Sequence, residues 1–406
     1  MLIIGQEILK MRTDRHNKTE LEKIKNEGLG LFLRDVYLGN DFHQKLNPGM
    51  FKATGNEQIQ AYQDGQSEVE DYIMTKYHSY EFIASHGLDQ MEFSFEKDTF
   101  RKKIIAVAGA KGGVGKSVFA ANLAVYLSMK GFKTVIIDLD LGGANVHLYL
   151  GKNFLLKQSI NDFLKKRVNT LEEIKIRSDY GPYLIGGSSS ELGTANIEFM
   201  KKMRLIKAIG NIDADYVILD LGGDMSLNSL DFYLQADYGI VVTTPESASY
   251  MSSYHFIKEA LYRKLRRLFG PESRFRDERD IDLEKYIHKM TLSSDTLKIN
   301  TIEGFMEKVR EYKPQSLPLI TKALAEIHPC LVLNKVPQFS NIHHVPSMIQ
   351  EVSKRWLSKE VTYLGEISAQ IEIEASVLDQ VPVIARYPQG RMAMEMENIV
   401  NNLLYK

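Results

Sequence analysis

The chain has 406 residues, 44% of them hydrophobic and 25% charged, the balance of a folded globular protein of two or three domains. With 51 basic against 52 acidic residues its formal charge is −1, which argues against a strongly basic nucleic-acid binder and an acidic solvating chain and leaves room for local patches. Its one cysteine, Cys330, excludes an intrachain disulfide framework and points to a reducing compartment. No apolar run approaches the ~20 residues that cross a bilayer. The opening Met1-Leu-Ile-Ile-Gly lacks the basic and apolar regions of a signal peptide, so a cytosolic location is the expectation.

Residues 1–98 mix charged, polar and aromatic side chains without a long strand run. Their aromatic content (Phe32, Tyr37, Phe42, Phe51, Tyr62, Tyr72, Tyr77, Tyr80, Phe82) is too high for a disordered linker. We read them as an N-terminal extension that docks onto the rest of the chain or onto a protein partner. From Lys102 the character changes. Strand-length apolar runs alternate with helical patterns: Ile104–Ala110, Val135–Asp138, Tyr183–Gly187, Tyr216–Asp220, Gly239–Thr244, Cys330–Lys335 and Val361–Ile367. Strands apolar on both faces and separated by helices predict an α/β domain, residues 99–406, with a mostly parallel sheet covered by helices on both faces. The rhythm lapses over about 262–329, which is charged and rich in Leu, Ile, Lys and Glu, and reads as a helical insertion.

The most informative segment is Ile104-Ile-Ala-Val-Ala-Gly-Ala-Lys111-Gly112-Gly113-Val114-Gly115-Lys116-Ser117. A β-branched run enters a glycine-rich turn and then an apolar helix, the strand–loop–helix context of a phosphate cradle. Backbone N–H groups of Gly112, Gly113, Val114 and Gly115 would approach phosphates, aided by the positive end of the helix dipole. Lys116 would reach the β- and γ-phosphates, and the Ser117 hydroxyl would ligate Mg²⁺. Ala110 stands where the general pattern has its first glycine.

Lys-Gly-Gly-Val-Gly-Lys-Ser resembles the deviant Walker A motif of the MinD/ParA family of ATPases. That resemblance implies ATP and Mg²⁺ as cofactors, and an ATP-dependent homodimer in which Lys111 reaches the partner's nucleotide. In Val135-Ile-Ile-Asp138-Leu-Asp140, two carboxylates at i, i+2 end a strand on one side of the chain and can both face the phosphates. By resemblance Asp140 activates the attacking water and Asp138 lies near the Mg²⁺ shell. Tyr216-Val-Ile-Leu-Asp220-Leu-Gly-Gly-Asp224 looks like Walker B and switch II, with Asp220 holding Mg²⁺ through water. Asp224 replaces a glycine of the commoner form. It is expected to face away from the phosphates or to answer a partner, and it bears on hydrolysis rate.

Leu331-Val-Leu-Asn334-Lys335 resembles the strand whose Asn reads the adenine edge, and Tyr363-Leu-Gly-Glu-Ile-Ser368 matches Leu-Gly-x-Ile-Pro except at Ser368. The chain most resembles MinD/FlhG-type positioning ATPases. A basic amphipathic membrane tail is missing from 394–406, as is the FlhG activation motif, so no integral membrane segment and no tail-driven lipid binding are expected. Iron–sulfur functions within the superfamily need several spaced cysteines, and a lone Cys330 in an apolar strand reads as core. Lys258–Arg279 carries eight basic residues (Lys258, Arg263, Lys264, Arg266, Arg267, Arg274, Arg276, Arg279) against four acidic ones. A ParA-like partition ATPase would lay such a run on DNA, but a solvated helix face is the commoner explanation. Lys201-Lys-Met-Arg204 is expected to be exposed as well. The resemblance implies a slow ATPase that positions or counts a cellular structure. The alternatives are a DNA-associated partition ATPase and a non-hydrolysing ATP-binding scaffold in which Asp224 marks a decayed switch.

Overall fold

The computed structural model describes residues 102–140, 143–151, 158–187, 197–270, 273, 275, 278–292, 301–338 and 344–404. All lie in the unit Phe100–Lys406, and the expectations made for 1–98 fall outside them. Within it, β1 (Lys103–Ala108) leads to α1 (Lys116–Met129), β2 (Thr134–Asp138) and a short α2 (Ile160–Leu164). Next come β3 (Ile176–Arg177), β4 (Tyr183–Ile185), α3 (Phe199–Gly210), β5 (Tyr216–Asp220), α4 (Leu227–Tyr233) and β6 (Tyr238–Thr243). A long α5 (Ser247–Phe269), α6 (Ile281–Leu292), α7 (Ile302–Tyr312) and α8 (Leu317–Ala325) precede β7 (Pro329–Val336). The chain closes with α9 (His344–Leu357), β8 (Thr362–Ser368), α10 (Ile371–Leu378), α11 (Val383–Arg386) and α12 (Arg391–Leu404).

The strands form one sheet in the order β3-β4-β2-β5-β1-β6-β7-β8, parallel throughout except for the β3–β4 pair. Parallel strands flanked by helices must bury both faces, and side-chain alternation divides the core in two. Ile105, Val107, Ile136, Ile218, Ile240, Val242 and Val332 join α1, α11 and α12 in one cluster. The intervening Ala106, Val135, Ile137, Val217, Leu219, Val241 and Leu331 are fully or almost fully buried too, on the opposite face. α1 is apolar nearly all round because Phe119 to Leu127 are buried without a break. Its buried Asn122 accepts the Ile384 amide at 3.1 Å and so seats α11. The apolar stripe of α12 is spent on β8, where Ile399 presses on Gly365. No helix among the described residues is long and apolar enough to cross a membrane.

The antiparallel β3 is the strand that sequence reasoning missed. It has two residues, one of them exposed, and shows no periodicity to read. The basic stretches also differ from expectation. Lys258 and Arg263 are buried, Lys264 pairs with Glu326 at 2.8 Å, and Arg266 with Glu284 at 2.7 Å. Lys202, expected on a solvated face, is buried against Asp231. Lys202, Lys258 and Arg263 are thus buried and Lys264 and Arg266 are ion-paired, so these cations are not all free on a solvated face.

Candidate functional site

All strands but β3 run the same way, so the C-terminal ends of β1, β2, β5, β6 and β7 converge along one edge, the position where open α/β sheets hold ligands. The glycine-rich turn 109–115 leaves β1 there and delivers Gly115 as the N-cap of α1. Gly113 and Gly115 take φ of 80° and 90°, the left-handed region that side chains disfavour. Gly115 is constrained twice over, because a Cβ there would come within 2.3 Å of Asn334 Nδ2. Lys116, only 8% exposed, begins α1 with Ser117 beside it. Gly112, Gly113 and Lys111 are exposed on the rim.

Asp138 and Asp220 are partners in the β2–β5 register, so two buried carboxylates lie side by side at the strand ends. Asp138 is committed to the backbone beyond it: its Oδ1 accepts the Asp140 amide at 3.2 Å and its Oδ2 the Val146 amide at 3.0 Å. Neither oxygen of Asp220 has a hydrogen-bond partner. Burial pushes both carboxyls above the usual range, Asp220 further, because Asp138 adds like charge while Ser117 and Lys116 only partly oppose it. An orphaned, fully buried carboxylate beside a lysine and a hydroxyl suits a divalent cation, whose charge would offset the cost of ionising it there.

The loops after β2 and β5 meet over the turn. A methyl group placed on Gly222 would lie 3.4 Å from Asp224 Oδ1 and 3.7 Å from Asp140 Oδ1, so these carboxylates flank one glycine. One placed on Gly223 would lie 3.3 Å from Lys116 Nζ. Asp224 is exposed, and its Oδ1 accepts the Ser229 hydroxyl at 2.6 Å and the Ser226 hydroxyl at 3.1 Å. It is thereby tied to the first turn of α4. On the outer rim Lys111 Nζ lies 3.9 Å from Glu246, the residue that caps α5, with both side chains largely exposed.

The last element brings in residues from more than two hundred positions away. Asn334 Nδ2 donates to the Val114 carbonyl at 2.8 Å, and Lys335 Nζ donates to the Gly113 carbonyl at 2.8 Å. Asn334 thus meets the turn through its amide nitrogen. Lys335 is a site residue that sequence reasoning passed over, and its only signal was adjacency to Asn334. At the end of β8, Ser368 and Gln370 both donate to Glu395 of α12, so the serine in place of the motif's proline anchors that loop to the last helix. Cys330 is buried in β7, with burial pushing its thiol up to about 12. As the chain's one thiol, it offers no cluster ligand set.

The turn, the paired carboxylates and the strand order have counterparts in known proteins. Residues 101–260 match the ParA family model, described as NUBPL iron-transfer P-loop NTPase. The flagellum site-determining protein YlxH of Helicobacter pylori is 31% identical over 173 residues, which cover 41% of this chain and 56% of that protein. The septum site-determining protein MinD of the same organism is 30% identical over 150 residues, 37% of this chain and 56% of that protein. The chain thus spans about half the length of the curated relatives it matches, 56% in both cases. A chain of the MinC:MinD cell division protein complex of Aquifex aeolicus superposes with a TM-score of 0.50 at 16% identity. That superposition covers 75% of this chain and 96% of the other, and at such identity it shows a common fold. Residues 101–260 thus resemble the P-loop NTPases of the ParA family, and the sheet shares the fold of MinD.

Proposed function

We propose that the chain is a Mg²⁺-dependent ATPase that pairs with a second copy when ATP is bound and positions or counts a cellular structure through a protein partner. The observation that carries the nucleotide reading is the orphaned Asp220 carboxylate, buried beside Lys116 and Ser117 at the foot of a left-handed glycine turn. Backbone N–H groups of 112–115 would bind phosphate oxygens, and Lys116 would neutralise the β- and γ-phosphates. Ser117 and Asp220 would hold Mg²⁺, with Asp138 fixing the loop that presents Asp140. When bound, Mg²⁺ supplies charge neutralisation between the phosphates. Asp140, on the rim of that loop, would orient and deprotonate the attacking water. Lys111 would act on the partner's phosphates, which requires it to leave Glu246. Asn334 would read the base with its carbonyl oxygen.

The positioning role rests on the relatives, which are named for determining flagellar and septal sites. The internal pairing of Lys202, Arg263, Lys264 and Arg266 removes support for a DNA-associated reading. Isothermal titration of Mg-ATP into wild type and Lys116→Ala, with steady-state phosphate release, tests the proposal. Binding that vanishes in the variant supports it, and unchanged affinity sinks the site. Tight binding without phosphate release would instead favour the non-hydrolysing scaffold.

A further inference from the structure

Lys335 belongs to no motif that assigns it a task, yet its ammonium is placed on the phosphate turn. Residues 334 and 335 fall where the β7–β8 register shifts between Leu333 and Val336, so the chain bulges out of the ladder there. Lys335 takes φ 55°, a left-handed conformation that carries a backbone cost for any residue with a Cβ. The bulge and this conformation place consecutive side chains on consecutive carbonyls of the turn: Lys335 on Gly113 and Asn334 on Val114, each at 2.8 Å. Held strain of this kind is a pointer to function.

The consequence follows from peptide geometry. No peptide bond among the described residues is cis, and in a planar trans peptide the C=O and the following N–H point in opposite directions. Drawing the Gly113 and Val114 carbonyls towards the end of β7 turns the N–H groups of Val114 and Gly115 the other way, into the hollow of the turn. The Gly113–Val114 unit is the looser of the two, since Gly113 is exposed and lacks a side chain to fix it. An ammonium donating to its carbonyl also withdraws electron density, which makes the N–H of the same peptide a better donor.

We propose that Lys335 is a positioning residue: it aims the phosphate turn's amides at the β-phosphate and touches no nucleotide atom itself. The proposal rests on the nucleotide-site reading above. Its test uses the full chain as wild type, Lys335→Met and Lys335→Gly, titrated calorimetrically with Mg-ADP and with AMP, which lacks the β-phosphate. Thermal unfolding without nucleotide monitors the fold. Methionine keeps the aliphatic stem, and glycine relieves the left-handed backbone, so a purely structural role predicts that glycine is harmless. The expected result is a loss of about tenfold in Mg-ADP affinity in both variants, the scale of one charge-assisted hydrogen bond. AMP affinity should change less than about twofold. Wild-type affinity for Mg-ADP in Lys335→Gly overturns the proposal, as does an equal loss for ADP and AMP. A wild type that binds neither nucleotide overturns the nucleotide-site reading itself and this inference with it, a pattern distinct from either.

Discussion

Replacing Asp231 with alanine takes the carboxylate out from among three cations. Asp231 lies on α4, just beyond the loop that carries Asp224, and is 1% exposed. Arg263 donates to it through Nε and Nη2 at 2.8 and 2.9 Å, Lys202 pairs with its Oδ2, and Arg267 approaches to 3.5 Å. Burial would raise this carboxyl, but the Arg263 and Lys202 cations outweigh that and hold it below the usual range. In Asp231→Ala, two cations that are themselves buried lose their counter-charge, and leaving buried charge uncompensated costs about 3–5 kcal/mol. For a unit of this size that corresponds to a fall in melting temperature of roughly 10 °C. The depressed pKa adds a sign: the pair's contribution is present above the unfolded carboxyl value of about 4 and is lost as pH falls below it. The acid limb of the stability curve should therefore flatten in the variant. Adding Arg263→Met should recover part of the loss by removing one stranded charge. Calorimetric unfolding from about pH 3 to 8 decides it. A loss under about 1 kcal/mol, the scale of an exposed pair, would refute the account of a desolvated cluster.

Asp140→Ala should keep Mg-ATP binding, slow phosphate release and accumulate a dimer, and adding Lys111→Ala should return it to monomer. Light scattering with Mg-ATP checks both, and a monomeric Asp140→Ala or a dimeric double variant would remove the cross-subunit role of Lys111. Asp138 and Asp220 carry raised pKa values in the fold, so the native state holds protons that the unfolded chain has released. Stability without nucleotide or Mg²⁺ should therefore decline from about pH 5 to 8, by up to ~1.4 kcal/mol per pH unit for each proton retained. Asp220→Asn should flatten that slope in melting-temperature scans, and an identical slope in the variant would assign the effect elsewhere.

Much of this molecule is written locally. Tyr216–Asp220 is buried at every position, and a run apolar on both faces can only be a strand inside a covered parallel sheet. The glycine turn is equally legible, since left-handed residues, a lysine and a hydroxyl at fixed spacing ahead of an apolar helix are properties of one short segment. Tertiary structure decided what depends on partners far along the chain. Lys335 and Gly113 are 222 positions apart, and no periodicity announces that a bulged strand end will meet that carbonyl. Lys202 and Arg263 look like solvated helix charges until α3 and α5 close on Asp231, because sequence shows a charge but not its counter-charge. Asp224, a departure from its motif, is given its place by two serine hydroxyls at the start of α4. Spacing along the chain sets local conformation, whereas the energy of a buried charge or of a turned peptide depends on which groups the fold brings within about 3 Å of it.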